Sequence, residues 1–293
     1  MLVLKVKYTA KPGMRRAFRD AVEREKIDAA SRGEEGCLLY EYTEPDGRPN
    51  ELMLDEVWED AESQKMHCAT AHFRRLGELK EQYVESTQLD RWELDLETMQ
   101  MSLARRGYIV SVFDTAEEAA EYLDNRIDGK NVGIGGSVTL DKMGMYQRLS
   151  AHNNVEWHWH LKEDETVQEA RTAAMTGDVY LSSVNGISEA GEIVNIDGAG
   201  NRLAGTLFGH GKVYYVLGIN KIRPTLEDAI GRARNTAAPL NAKRLECETP
   251  CEKRGVCYDC QGADRICRAM TITYAPMMGQ ETEVVIIKKF LGL

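Results

Sequence analysis

Four short apolar runs punctuate the second half of the chain: YIVSVFD from Tyr108, NVGIGGS from Asn131, DVYLSSVN from Asp178 and KVYYVLGIN from Lys212. Each is bounded by turn residues and followed by a segment of helical or loop character. Strands buried on both faces read as near-continuous apolar stretches, and alternation with helices restricts such a segment to a largely parallel, two-side-covered sheet. The reading is therefore α/β. The helix after the first run is well marked, because in TAEEAAEYLDNRI Thr115 can cap it and Glu118 can close a capping box.

The first part follows another pattern. A chain of 293 residues exceeds the usual single core, so two domains are expected, residues 1–93 and 94–293. In MLVLKVKYTAKPG, Leu2, Leu4, Val6 and Tyr8 alternate with polar residues as in a half-buried strand, not a signal peptide. Pro12 to Ser31 carries Met14, Phe18, Val22 and Ile27 at roughly helical spacing, with Pro12 at the helix start. CLLYEYTE and ELMLDEVWE flank the turn former PDGRPN, which predicts a hairpin. Strand, helix, two strands, helix, strand is the order of an α+β ferredoxin-like sandwich. A charged helical stretch, Leu94 to Arg106, leads into the second domain.

Composition bounds the partners. A net charge of -10 argues against nucleic acid, which requires a basic footprint. No apolar run is long enough to span a bilayer. A cytoplasmic setting is expected, in which thiols stay reduced and disulfides are disfavoured.

Ligands of parallel α/β sheets bind beyond the carboxyl ends of the strands, and three loops there carry suitable residues. GIGGSVTL places Gly135, Gly136, Ser137 and Thr139 between a strand and a helix, where backbone amides can approach an anion. A tight turn without a ligand has similar composition. NIDGAGNRLAG offers Asp197 as a candidate base, with Asn201 and Arg202 as anion ligands; an Asp–Arg structural pair is the alternative. GINKIRP adds Asn220 and Lys221. In VEWHWHL, strand alternation would set His158 and His160 on one face and Trp157 and Trp159 on the other, with the tryptophans facing the core.

Five of the seven cysteines crowd near the C-terminus, and four of them form Cys251-x5-Cys257-x2-Cys260-x6-Cys267. Thiolates without imidazole suit an iron–sulfur cluster or zinc. The single Cys-x2-Cys pair flanked by wider spacings fits a [4Fe-4S] cluster better than a zinc knuckle, with zinc or redox-active thiols as alternatives. Lys253, Arg254 and Arg265 would offset the charge of a cluster.

The stretch AESQKMHCATAHFRRL, after a strand ending in Trp58, together with the element order of roughly the first 93 residues, resembles the antibiotic-biosynthesis-monooxygenase (ABM) family. That resemblance implies a dimeric α+β barrel, a homo-oligomer, and His72 in the "AHF" triplet as a candidate catalytic residue. His67 lies about a turn and a half earlier and off the same face. In the second half, "GGSVTL", "GDVYLSSVNGISEAGEIVNIDGAGNR", "GINKI", "NTAAPLNAKRL" and "TPC…GVCYDC…DRIC" resemble the lactate-utilisation (LUD) domain family. This resemblance implies a fold like ribose-5-phosphate isomerase and CoA transferases, with glycine loops holding anionic substrates. It also implies an iron–sulfur oxidoreductase or electron-transfer subunit that takes a small anionic metabolite and a redox partner protein. A non-redox isomerase- or transferase-like enzyme, or a binding module with structural zinc, is the alternative.

Overall fold

The computed structural model of the chain describes residues 1–44 and 48–293. It divides into two compact units, Met1–Leu96 and Glu97–Leu293.

The first unit contains β1 (Leu2–Ala10), β2 (Cys37–Thr43), β3 (Glu51–Trp58) and β4 (Val84–Glu93). They form one antiparallel sheet in the order β2-β3-β1-β4, the ferredoxin-like arrangement. The period-2 pattern of β1 operates as expected: Leu2, Leu4, Val6 and Tyr8 enter a core with Phe18, Val22, Leu76 and Leu79. β2 and β3 pair as a hairpin, and of its expected PDGRPN turn, residues 45–47 lie outside the described residues.

The single helix expected from Pro12 to Ser31 is instead two, Arg15–Arg24 and Ile27–Arg32, broken where Lys26 adopts a left-handed φ of 57°. Val22 and Ile27 are five residues apart, which a straight helix would separate by about 140° around its axis. The break lets both reach the same core. The second helical segment is likewise divided, Ala61–Cys68 capped by Asp60 and Ala71–Tyr83 capped by Thr70.

The second unit adds β5 (Ile109–Phe113), β6 (Asn131–Ile134), β7 (Asn154–Glu156), β8 (Val179–Ser182), β9 (Gly186–Ser188), β10 (Ile193–Asp197), β11 (Lys212–Gly218), β12 (Ile222–Arg223), β13 (Ala269–Thr273) and β14 (Glu281–Ile287). Six of these form a parallel sheet ordered β5-β14-β11-β8-β6-β7. The four apolar runs supply β5, β6, β8 and β11, and the Thr115–Glu118 capping box is present. A second, mixed sheet, β12-β9-β10-β13, is an addition the apolar runs do not announce. Asp197 ends a strand of that sheet and not of the parallel one.

VEWHWHL is not an alternating strand. β7 stops at Glu156, and Trp157–His160 form a turn closed by the His160 amide on the Trp157 carbonyl, 2.8 Å. Trp157 is fully buried, while His160 stacks on Tyr146 with ring centroids 4.0 Å apart. Burying the large Trp157 indole decides the geometry, and alternation gives way. Among the described residues no helix is long and apolar enough to cross a membrane.

Candidate functional site

A cavity of about 760 Å³ opens in the second unit, walled by the ends of β6 and β10, by Lys221 after β11, and by the segment Ala263–Ile266 between Cys260 and Cys267. It brings together Gly136, Ser137, Asp197, Asn201, Arg202 and Lys221 from the three loops singled out in the sequence. Six basic side chains line it against three acidic ones, Asp197, Glu246 and Asp264, so a chain that is acidic overall presents a net cationic chamber.

The residues divide by what their polar atoms already hold. Arg202 is internally bonded: Nη1 donates to the Ser183 carbonyl at 3.2 Å and to Asn195 Oδ1 at 2.6 Å, and Nη2 donates to Asn185 Oδ1 at 2.8 Å and to the Ile196 carbonyl. It stitches the two sheets and has no free fork for a ligand. Asp197 accepts from the amides of Gly198, Ala199 and Arg202 at 2.7, 3.3 and 2.9 Å, which shapes the loop, and its carboxylate lines the cavity. Gly135 is outside the cavity lining, and a Cβ there would lie 2.9 Å from Arg202 Cγ, so this glycine admits the arginine and not a ligand. Ser137 caps the helix Val138–Lys142, whose five residues make too short a dipole to hold an anion alone. Asn220 turns away, its Oδ1 accepting from the Leu291 amide at 3.0 Å.

The groups with unspoken-for capacity are others. Arg171, on the helix Val167–Ala173, has a buried Nε with no acceptor among the described residues. Arg244 uses Nε on Asn241 at 3.0 Å and lies 4.7 Å above the Trp159 ring. His158 lines the wall with a buried, unpartnered Nδ1, and burial followed by the nearby Arg171 pushes its pKa down to about 4. Lys221 is 3% exposed; Nζ donates to Thr139 Oγ1 and Ser183 Oγ, both at 2.9 Å, and burial drives its pKa well below the ordinary lysine value, helped by Arg232 and Arg202. Arg171 stands in a segment without glycine loops or motif spacing, so no sequence signal marks it, whereas Arg244 falls in the NTAAPLNAKRL stretch, which does not by itself single it out as a ligand.

A family model described as LUD domain matches residues 96–287, two thirds of the sequence. The chain belongs to the LUD domain family. A second model, described as antibiotic biosynthesis monooxygenase, matches residues 1–79 ahead of the LUD domain. No curated protein matches. Among solved structures, PA3566 from Pseudomonas aeruginosa is 27% identical, covering 32% of this chain and 94% of its own, with a TM-score of 0.30. A conserved protein of unknown function from Bacteroides thetaiotaomicron is 28% identical over 32% of this chain and 96% of its own, TM-score 0.29. SO0527 from Shewanella oneidensis is 22% identical over 31% and 87%, TM-score 0.29.

In the LUD domain the cysteine loop leaves a helix running from Leu226 to Arg244 that contains a wide π-turn at Ala233–Ala237. Pro239 explains the turn, because its ring would clash with the carbonyl four residues back in a regular helix. The turn presents Asn235 Oδ1 to the Cys257 amide at 3.2 Å and Arg234 Nη2 to the Cys257 sulfur at 3.6 Å. The Asp259 amide also points at that sulfur, 3.4 Å away. Arg265 clamps the loop through the carbonyls of Cys260 and Cys267 at 2.7 and 2.9 Å. All four thiols are free and half-buried. Among the described residues no three of their sulfurs lie within 4.8 Å of one another, wider than the about 3.8 Å that Zn–S bonds of 2.3 Å set in a tetrahedral site. Soft thiols with amide and guanidinium donors nearby have the chemistry of ligands to an iron–sulfur or zinc centre.

In the ABM domain, Glu34 Oε1 lies 2.6 Å from His67 Nδ1 and 2.7 Å from His72 Nε2. Sequence spacing separates the two histidines, but the helix break at Ala69 and Thr70 turns both to the same carboxylate oxygen. Glu34, which carries no motif signal, is the partner that places His72.

Proposed function

We propose that the LUD domain binds a small anionic metabolite in the cavity and carries an iron–sulfur cluster on Cys251, Cys257, Cys260 and Cys267. It would act as a cytoplasmic oxidoreductase, or electron-transfer subunit, of the lactate-utilisation type. The observation that carries this reading is the buried Arg171 Nε, a donor without an acceptor in the wall of a cationic chamber. Buried donors are nearly always paired, so an orphan on a residue that lines a cavity points to a ligand that pairs it. Arg171 and Arg244 would hold a carboxylate or phosphate, while Arg202 keeps the wall rigid.

The cluster, when bound, supplies one-electron transfer. The chain's own part is to bind and orient: Ala263–Ile266 of the cysteine loop are also cavity wall, so substrate and cluster loop share one partition. A redox partner protein would take or deliver the electrons at the half-exposed loop.

The ABM domain would serve assembly and, through His72 and Glu34, proton transfer. β4 is a ten-residue edge strand whose residues are almost all exposed, including Leu89 at 56%, as a strand awaiting a second copy would be. Size-exclusion chromatography with light scattering reports the oligomer.

Anaerobic purification followed by iron and sulfide quantification tests the cluster. Near-stoichiometric iron and sulfide with visible absorption lost in Cys257→Ser supports it; colourless protein with neither element refutes it. For the cavity, Arg171→Gln should weaken binding of lactate, glycolate or a phosphate ester at least tenfold, and equal affinity would refute the anion site.

A further inference from the structure

Lys221 has an unusual set of neighbours for a lysine. It is buried, and among the described residues no carboxylate pairs with it. The charged groups acting on it are Arg202 and Arg232, both cations. Its two hydrogen-bond partners are already oriented: Ser183 Oγ donates to the Val216 carbonyl at 2.6 Å, and Thr139 Oγ1 donates to Ser183 Oγ at 3.3 Å. Each hydroxyl therefore turns a lone pair toward Nζ and accepts one N–H.

A neutral amine has two hydrogens and one lone pair, whereas an ammonium has three hydrogens and needs three acceptors. Two acceptors, two cations and no anion match the neutral amine, with its lone pair left over. Lys221 also lines the cavity.

We propose that Lys221 is a nucleophile that captures the carbonyl carbon of a 2-oxo acid as an imine, with the carboxylate of the acid held by Arg171 and Arg244. The inference rests on the reading of the cavity as a small-anion site and is independent of the cluster. The Nζ lone pair forms the new C–N bond as the carbonyl π electrons move to oxygen. Nζ gives up its two protons in turn through the Thr139–Ser183 hydroxyl pair, and the oxygen gains both, the first giving the carbinolamine and the second making the oxygen a water leaving group. The C–O bond then breaks, water leaves and C=N forms; amine and carbonyl are consumed, imine and water are produced, and no oxidant or reductant takes part. A 2-oxo acid is the oxidised counterpart of a 2-hydroxy acid, so the same cationic grip suits both.

The test uses the intact protein. Pyruvate binding is measured by calorimetry, then protein and pyruvate are treated with cyanoborohydride at pH 7.4 and the digested peptides are weighed. An ordinary surface lysine is neutral in only about one molecule in a thousand at that pH, which makes a buried neutral amine selective. The expected result is one reduced adduct on the peptide containing Lys221, enriched at least tenfold over other lysine peptides and absent from Lys221→Met. Pyruvate binding without an adduct at Lys221, or with adducts spread evenly over surface lysines, overturns the imine and leaves the anion site standing. If pyruvate, glyoxylate, 2-oxoglutarate and lactate all fail to bind, the anion site falls and the imine with it.

Discussion

Gly198 and Ile266 meet so closely that a Cβ on the glycine would lie 2.7 Å from the Ile266 carbonyl oxygen. The contact joins the loop after β10 to the cysteine loop, and the Arg268 amide reinforces it by donating to the Asp197 carbonyl at 3.0 Å. Cavity wall and thiol ligands are thus fastened at one point. Gly198→Ala must displace backbone, since neither partner is a flexible side-chain tip. The expected loss is about 1–3 kcal/mol of stability. Bound iron should also fall below wild type although every cysteine remains. Denaturant unfolding with iron analysis measures both; unchanged values would show that the two loops move freely.

Arg234 places a guanidinium 3.6 Å from the Cys257 sulfur. A cation there favours the more negative, reduced form of a thiolate-ligated cluster. Arg234→Gln is expected to keep the iron content and lower the reduction potential, read by spectroelectrochemical titration. An unchanged or raised potential would exclude Cys257 as a ligand near that charge.

Arg202 serves the fold more than the ligand. Replacing it with Met removes one of two donors from each of Asn185 Oδ1 and the buried Asn195 Oδ1 and takes the guanidinium from the Ser183 and Ile196 carbonyls, at a loss of about 2 kcal/mol. Urea unfolding of Arg202→Met should show a lowered midpoint. A variant as stable as wild type but defective in anion binding would return Arg202 to the ligand set.

Glu56 is 5% exposed and accepts from Trp58 Nε1 at 2.9 Å, yet burial pushes its pKa up from 4.5 to about 7. The folded state therefore holds this proton more tightly than the unfolded chain does. The resulting stabilisation is complete below pH 4.5 and is lost as the pH rises to about 7, a change of about 3 kcal/mol. Glu56→Gln keeps an acceptor for the indole and removes the titration. The stability of wild type relative to this variant should fall across that window and level off above it, as thermal melts at stepped pH would show.

Periodicity made much of this molecule legible. Alternation in β1 and the apolar runs of β5, β6, β8 and β11 are local consequences of one face or two being buried. The Thr115 box and the glycine loops are equally local. Periodicity was silent where large side chains or breaks override it: Lys26 divides the first helix, Trp157 turns VEWHWHL out of strand geometry, and Pro239 opens the π-turn that carries Arg234 and Asn235 to Cys257.

The amino-acid sequence alone determined two domains, their fold classes, the four clustered thiols and the loops that reach the cavity, because each of these is written in neighbouring residues. Only the tertiary structure decided which of those residues are free to act. Arg202 carries the right chemistry but is bonded internally, whereas Arg171 and His158 each keep a buried nitrogen without a partner among the described residues. Glu34 joins two histidines only after a helix break. Whether a polar atom is satisfied depends on how the chain folds back on itself, 33 and 38 residues away for the histidines on Glu34, and the period of a strand or helix does not record that.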